Sequence, residues 1–240
     1  MIYWGVCAKI TWAMVTIAAP REDEPASRSH EAMRGVYDTR RTAALSGVPE
    51  RTLRYWAANG FYRPSISPEP RTRLWSWYDL IALRVIDWLR QPKDVDRLPR
   101  VSPSKIRQSL EELDRQGLSP ADLHNLVAQS RDGDLFITVG ERAVRVDSTR
   151  QMALPGVLPL VHPYRGGPDL LEPRPLLRII PGKLHGEPHL VDTRIPSATI
   201  YALYQEGYEL EKIAAMYPEV PREALEQSID LESSLSQRAA

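Results

Sequence analysis

The sequence predicts a mainly helical α+β protein, with a winged helix-turn-helix head, a small central β region and a C-terminal three-helix unit resembling a helix-turn-helix. Three observations predict it. Apolar residues recur at helical spacing in short segments of the first half and again near the end, and between them the period shortens to two. The 21 prolines and 13 glycines sit mostly between these segments, as in a chain of small modules. The implied order is an N-terminal segment and linker (1–31), the head (32–91), a helical extension (92–131), a β-rich region (132–182) and an acidic helical domain (183–240).

Net charge is zero, but its distribution is uneven. From Arg34 to Arg90 ten arginines stand against five acids, whereas from Leu184 to Ala240 ten acids stand against four basic residues. One end suits a polyanion and the other repels it. Cys7 is the only cysteine, which excludes an intramolecular disulfide and a thiolate metal cluster within one chain, the usage expected in a reducing cytoplasm.

The stretch Ile2 to Ala19 is apolar, but no positive region precedes it, Lys9 interrupts it and it is short for a membrane span. It is expected to be a strand or short helix packed on the body, or an extension of little structural consequence, rather than a signal or anchor. Pro20 to Ser29 follows as a mobile linker.

The head opens with a lead-in or short helix at Ala32 to Asp38. Thr39 then N-caps a helix to Leu45, and Ser46-Gly47 break it. A second helix opens at Pro49 and closes at Asn59-Gly60, with Leu53, Trp56 and Ala57 on one face and Glu50, Arg51, Arg54 and Tyr55 on the rest. Two short helices joined by a glycine turn, the second rich in Arg, form a helix-turn-helix pattern. The plainer alternative is an ordinary helix pair with a solvated face. Phe61 to Leu74 is a loop of wing size carrying Arg63, Arg71 and Arg73. Ser76 with Asp79 then has capping-box spacing before an apolar-faced helix that runs to Arg90.

The order Gly47-Val48, Thr52-Leu53-Arg54-Tyr55-Trp56, Gly60-Phe61 and Pro64, then Arg73-Leu74-Trp75-Ser76 and Asp79-Leu80, resembles the DNA-binding head of the MerR regulator family over about 50 residues. That resemblance implies base- and backbone-contacting positions at Arg51, Thr52, Arg54 and Tyr55, with Arg73 in the wing. Pro49 departs from the family pattern by occupying the usual place of a polar N-cap, and Pro64, Pro68 and Pro70 interrupt the wing. By side-chain chemistry, Arg51 and Arg54 suit guanine edges in double-stranded DNA. Thr52 and Tyr55 suit phosphate or a thymine methyl. Arg40, Arg41, Arg63, Arg71 and Arg73 suit phosphates, which position without specifying. A head this small implies a homodimer on a two-fold operator.

Ser102-Pro103 starts a helix through Ile106, Leu110 and Leu113 to Gly117. Ser119-Pro120 starts another through Leu123, Leu126 and Val127 to about Ser130, serving either as a dimer contact or as plain packing. Leu135 to Val139 and Ala143 to Asp147 flank Gly140-Glu141 as a hairpin, and apolar runs at Leu158 to His162, Leu176 to Ile180 and His189 to Val191 extend a small sheet. His162, His185 and His189 are read as surface or turn residues, because Gly186 and Pro188 oppose a helix that would present the last two together. No nucleophile–base set, phosphate loop or paired acids stand out, so neither an enzyme nor a cofactor or metal is expected.

In the tail, Ser197 caps a helix over Thr199 to Gln205 that Gly207 ends. Leu210 to Met216 forms a second, and a third runs from Pro221 through Ile229 towards Leu235, with Leu210, Ile213 and Ala214 packing on Leu225 and Ile229. Arg194 is expected to pair with Asp192 or a nearby Glu. The string Pro188-His189-Leu190-Val191-Asp192-Thr193-Arg194-Ile195-Pro196, with Gly182 before it and Gly207-Tyr208 and Tyr217-Pro218 after it, resembles a small uncharacterised prokaryotic domain that accompanies VapB-type antitoxins. Joined to a MerR-like head, it resembles the larger antitoxins encoded beside PIN-like ribonuclease toxins. That implies a cytoplasmic protein that neutralises a cognate PIN-like ribonuclease toxin and represses the shared operon, with the toxin-contacting residues unidentified. The alternatives are a stand-alone MerR-like transcriptional regulator and a protein-binding adaptor.

Overall fold

The computed structural model describes residues 35–91, 100–115, 127–129, 135–139, 142–145 and 162–238, all within one compact unit. The apolar N-terminal stretch, the linker after it and the segment 119–126 lie outside the described residues. The architecture is α+β and mainly helical.

The first described element is strand β1 (Val36–Tyr37), a lead-in to the head in place of the alternative short helix; it pairs antiparallel with β2 (Trp75–Ser76), Tyr37 facing Trp75 in register. Helix α1 (Thr39–Ser46) is capped one residue earlier than expected: Asp38, in extended conformation, accepts the Arg41 amide at 2.6 Å. The Thr39 hydroxyl instead accepts the Trp75 indole N–H at 3.2 Å. Gly47, at φ 75°, ends α1 in the left-handed conformation that an L side chain resists. Helix α2 (Glu50–Ala58) follows Pro49, which offers no side-chain cap; Glu50 places a carboxylate in its first turn, where the helix dipole favours it. Leu53 and Trp56 anchor α2 in the core.

The wing-sized loop closes through a single bridge, Ser67 with Leu74, at 3.1 and 3.0 Å, in keeping with its prolines. The expected capping box is present at the start of α3 (Trp77–Arg90), with Ser76 and Asp79 each accepting the other's backbone amide. Asp79 also receives the Tyr62 hydroxyl at 2.8 Å and the Ser65 amide at 3.1 Å, so the carboxylate that starts α3 also ties down the loop.

Helix α4 (Pro103–Arg115) starts at the Ser102-Pro103 device and buries Ile106 beside Val101. Strands β3 (Val127–Gln129), β4 (Leu135–Val139) and β5 (Arg142–Arg145) form an antiparallel sheet in that order. The hairpin stands as expected, but Val127–Gln129 is a strand and not helix. Its pairing with Leu135 to Ile137 supplies backbone partners that local spacing does not reveal.

Strand β6 (Leu177–Arg178) pairs with β7 (His189–Leu190), a 3-10 turn at Leu184–Gly186 lying between them. Helices α5 (Ser197–Gln205), α6 (Leu210–Met216) and α7 (Arg222–Arg238) complete the tail. Ser197 lies inside α5, behind Pro196, and does not cap it. Its hydroxyl instead donates to the Pro188 carbonyl and to Glu232.

Two apolar clusters hold the helices and strands of the head and tail. The first joins α1, α2, α3 and α4 through Ala43, Leu53, Trp56, Leu83, Ile86 and Ile106. The second contains the expected Ile213 and Leu225 contact, but it also takes in Tyr37, Leu45, Trp77 and Leu80 from the head. Head and tail thus share a core.

Candidate nucleic-acid interface

Arg51, Arg54 and Tyr55 lie on one face of α2, at the spacing that brings helical side chains together, and all three are exposed; Tyr55 is 66% accessible. Thr52 beside them is half-buried. Leu53 and Trp56, on the opposite side, fix this face relative to α3. Arg54 is paired with Glu50 one turn earlier through its Nε at 2.8 Å. An exposed pair at this spacing is worth about 0.3 to 0.5 kcal/mol, so a nucleic acid can displace Glu50 from Arg54 at little cost.

Arg40 on α1 and Arg63 and Arg71 on the loop are exposed, as a phosphate contact requires, whereas Arg73 is half-buried and its Nε is enclosed without a hydrogen-bond partner. Arg90 stacks over the Trp56 ring at 5.2 Å and Arg107 over the Phe61 ring at 5.8 Å, so these two cations cover the edge of the first core.

Arg41 does not belong to this surface, contrary to the assignment from sequence. Its guanidinium faces the tail, donating to Glu232 at 2.6 and 2.9 Å and to Glu187 at 2.7 and 3.0 Å. Arg41 thus faces α7, while its neighbour Arg40 stays in solvent. Burial opposes the charge on Arg41, but the two carboxylates outweigh it and hold the proton more firmly than usual. Burial likewise pushes the Glu187 carboxyl above its ordinary range, against the pull of Arg41. Tyr37 donates to the Gly186 carbonyl at 2.8 Å in the same seam, and burial raises its phenol well out of the titrating range.

A second set of contacts joins the head to residues 162–168. Arg84, in the middle of α3, is fully buried and donates to the carbonyls of Leu45 at 2.7 Å, Pro168 at 2.6 Å and His162 at 2.7 Å. Burial lowers its pKa to about 9, which still leaves it charged at neutral pH. Asp87, one turn on, accepts the Tyr164 hydroxyl at 2.9 Å and Arg165 at 2.8 Å. Sequence reasoning missed both residues. The available signal was their position, two charged side chains inside the apolar run from Leu80 to Leu89.

His189 is buried at 1% accessibility, not at the surface, and its Nδ1 lies 3.1 Å from the Glu187 carbonyl oxygen. Arg194 is exposed and has no ion pair among the described residues, so the expected bridge to Asp192 is not formed. Among the described residues there is no group of three or more His, Cys, Asp or Glu that could hold a metal ion, and no helix long and apolar enough to cross a membrane.

No curated protein and no solved structure matches the chain. Residues 178–230, from the end of β6 to the middle of α7, match the model of the family described as "Protein of unknown function (DUF433)".

Proposed function

We propose that the chain is the antitoxin of a type II toxin–antitoxin pair, a binding protein and not an enzyme, which represses its own operon in the cytoplasm. The observation that carries the DNA-binding part is the exposed Arg51, Arg54 and Tyr55 face of α2, braced by a buried Leu53 and Trp56 and flanked by exposed Arg63 and Arg71. This arrangement supports insertion of α2 into the major groove of double-stranded operator DNA while the loop arginines meet phosphates. A homodimer reading two half-sites supplies the affinity that one small head lacks.

The tail supports the other half of the proposal. Glu206, Glu209, Glu211, Glu219, Glu223, Glu226 and Asp230 are all exposed. Arg222, one of the two basic residues between positions 206 and 230, already pairs with Glu211 at 2.8 Å and Glu226 at 3.0 Å. Such a surface repels phosphates and speeds encounter with a basic protein. The tail's resemblance to the domain that accompanies VapB-type antitoxins makes a PIN-like ribonuclease toxin the proposed partner.

Two measurements test this. Binding to duplex DNA from upstream of the chain's own gene, across a salt series, should weaken steeply as salt rises; a flat response overturns the arginine–phosphate interface. The purified product of the adjacent open reading frame should bind the full chain and lose ribonuclease activity. Absence of binding at micromolar concentration overturns the antitoxin assignment.

A further inference from the structure

We infer that Arg84 is a positioning residue for the DNA-facing side of α2, acting through the glycine turn in front of that helix and taking its anchorage from residues 162–168. The inference rests on the DNA-binding proposal above. Arg84 is fully buried and so offers no surface that could meet DNA. Its Nη2 reaches both the Leu45 carbonyl near the end of α1 and the Pro168 carbonyl, and its Nη1 reaches the carbonyl of His162. One planar guanidinium therefore spans α1 and a segment more than a hundred residues downstream, holding each by its backbone.

That downstream segment is itself a tight turn. Tyr164 and Gly167 exchange backbone hydrogen bonds at 3.0 and 2.6 Å, with Arg165 at φ 43° and Gly166 at φ 86° between them. Both central residues are left-handed, which is the geometry of a short hairpin turn. Asp87 fixes this turn from α3 through Tyr164 and Arg165. The turn sits directly against the break between α1 and α2. A Cβ on Gly47 would strike the Tyr164 carbonyl, and one on Gly167 would lie 2.6 Å from the Leu45 carbonyl and 2.9 Å from the Gly47 amide. Two glycine turns, one in the head and one at Tyr164–Gly167, are thus pressed backbone to backbone with Arg84 closing the joint.

The angle between α1 and α2 is set at this joint, because α2 begins three residues beyond Gly47. Base readout tolerates little misplacement, whereas phosphate contacts from mobile arginines tolerate more. A loosened joint should therefore damage sequence discrimination before it damages general DNA affinity.

The test uses the full chain, with Arg84→Met, Arg84→Lys and Gly167→Ala, and Ile213→Ala, in α6, as a destabilised control. Affinity for upstream operator DNA and for a random duplex is measured below the onset of unfolding, together with amide hydrogen exchange over residues 46–60. Arg84→Met should lower operator affinity about tenfold, the loss of roughly one good base contact, with random-duplex affinity nearly unchanged. Arg84→Lys, which keeps the charge but lacks the planar fork, should fall between. Exchange over 46–60 should quicken in both and not in Ile213→Ala. If Arg84→Met does not fold, Arg84→Lys and Gly167→Ala carry the same comparison. An unchanged operator-to-random ratio, or an equal loss in Ile213→Ala, overturns the inference. If the wild-type chain binds no DNA, the DNA-binding proposal fails by itself. Exchange then still decides the joint: selective quickening over 46–60 upholds it, and no change overturns it.

Discussion

Arg54 and Arg41 sit one helix apart and both face a glutamate, yet their pairs do opposite things. The exposed Arg54–Glu50 pair lies within one helix, in water, and is worth a few tenths of a kcal/mol. Arg41 is held by two carboxylates from the tail, one of them, Glu232, only 4% accessible, and Glu232 is engaged by Ser197 as well. The first arginine can be released to a phosphate or a guanine, and the second cannot without unmaking the seam. Residue type therefore does not separate a ligand-seeking arginine from a structural one; the environment of its partner does.

The sharpest way to break this contrast is to remove the buried carboxylate. Glu232→Ala leaves Arg41 with one partner in a desolvated site and should destabilise the chain by about 3 kcal/mol, read from the denaturant midpoint. Adding Arg41→Met should recover part of that loss, since the uncompensated charge goes with it. Strict additivity of the two substitutions would show that the seam is no tighter than a surface pair.

On the exposed side, Arg54→Ala should leave stability within about 0.5 kcal/mol, because the pair it breaks is solvated. Under the proposed function its effect should fall on DNA binding, a loss of about 1 to 3 kcal/mol confined to particular operator positions. Arg71→Ala should instead weaken operator and random duplexes alike and flatten the salt slope by about one. If Arg54→Ala unfolds the chain, or if Arg71→Ala alters sequence preference, the assignment of roles on this face is wrong.

A smaller effect tests the start of α3, which carries Arg84 and Asp87 to residues 162–168. Ser76→Ala removes the hydroxyl half of the capping box and should cost about 1 kcal/mol in thermal or chemical unfolding. A cost near zero would mean that Asp79, with its contacts to Tyr62 and Ser65, holds the helix start unaided.

Much of this was legible in the chain because it is local. Ser76 and Asp79 are three residues apart, Gly47 punctuates two periodic segments, and α6 runs from Leu210 to Met216 as its pattern indicates. The exposed arginines of α2 followed from the same periodicity, with Leu53 and Trp56 marking the opposite face. What escaped depends on contacts distant in sequence. Arg41 is separated from Glu187 by 146 residues and Arg84 from Pro168 by 84, and no spacing rule connects them. The Val127–Gln129 strand was lost for the same reason: its apolar residues fit a helix until Leu135 to Ile137 offer an edge. Arg84 could have been suspected from its place among Leu80, Leu83 and Ile86, where an unaccompanied charge is costly.

The smallest expected effect concerns His189, which sits beside Glu187 in the buried strand β7. Burial is the main cause that lowers its pKa from the ordinary value of 6.5, and nearby Lys183 acts in the same direction, while the Glu187 carbonyl pulls the other way. A histidine that resists protonation when folded but not when unfolded contributes stability that is complete above 6.5 and lost as pH falls through its folded value. The Glu187 carboxyl has the opposite linkage: its raised pKa gives a contribution present below the ordinary carboxylate range and lost as pH rises through the folded value. Comparing the wild type with His189→Gln removes the shared Glu187 contribution and leaves the histidine. The wild type should lose stability relative to the variant as pH falls from 7 towards 5, measured by denaturant midpoints at each pH. Parallel curves would place His189 in contact with water, and the seam would then be looser at β7 than the closed contacts of Arg41 and Glu232 require.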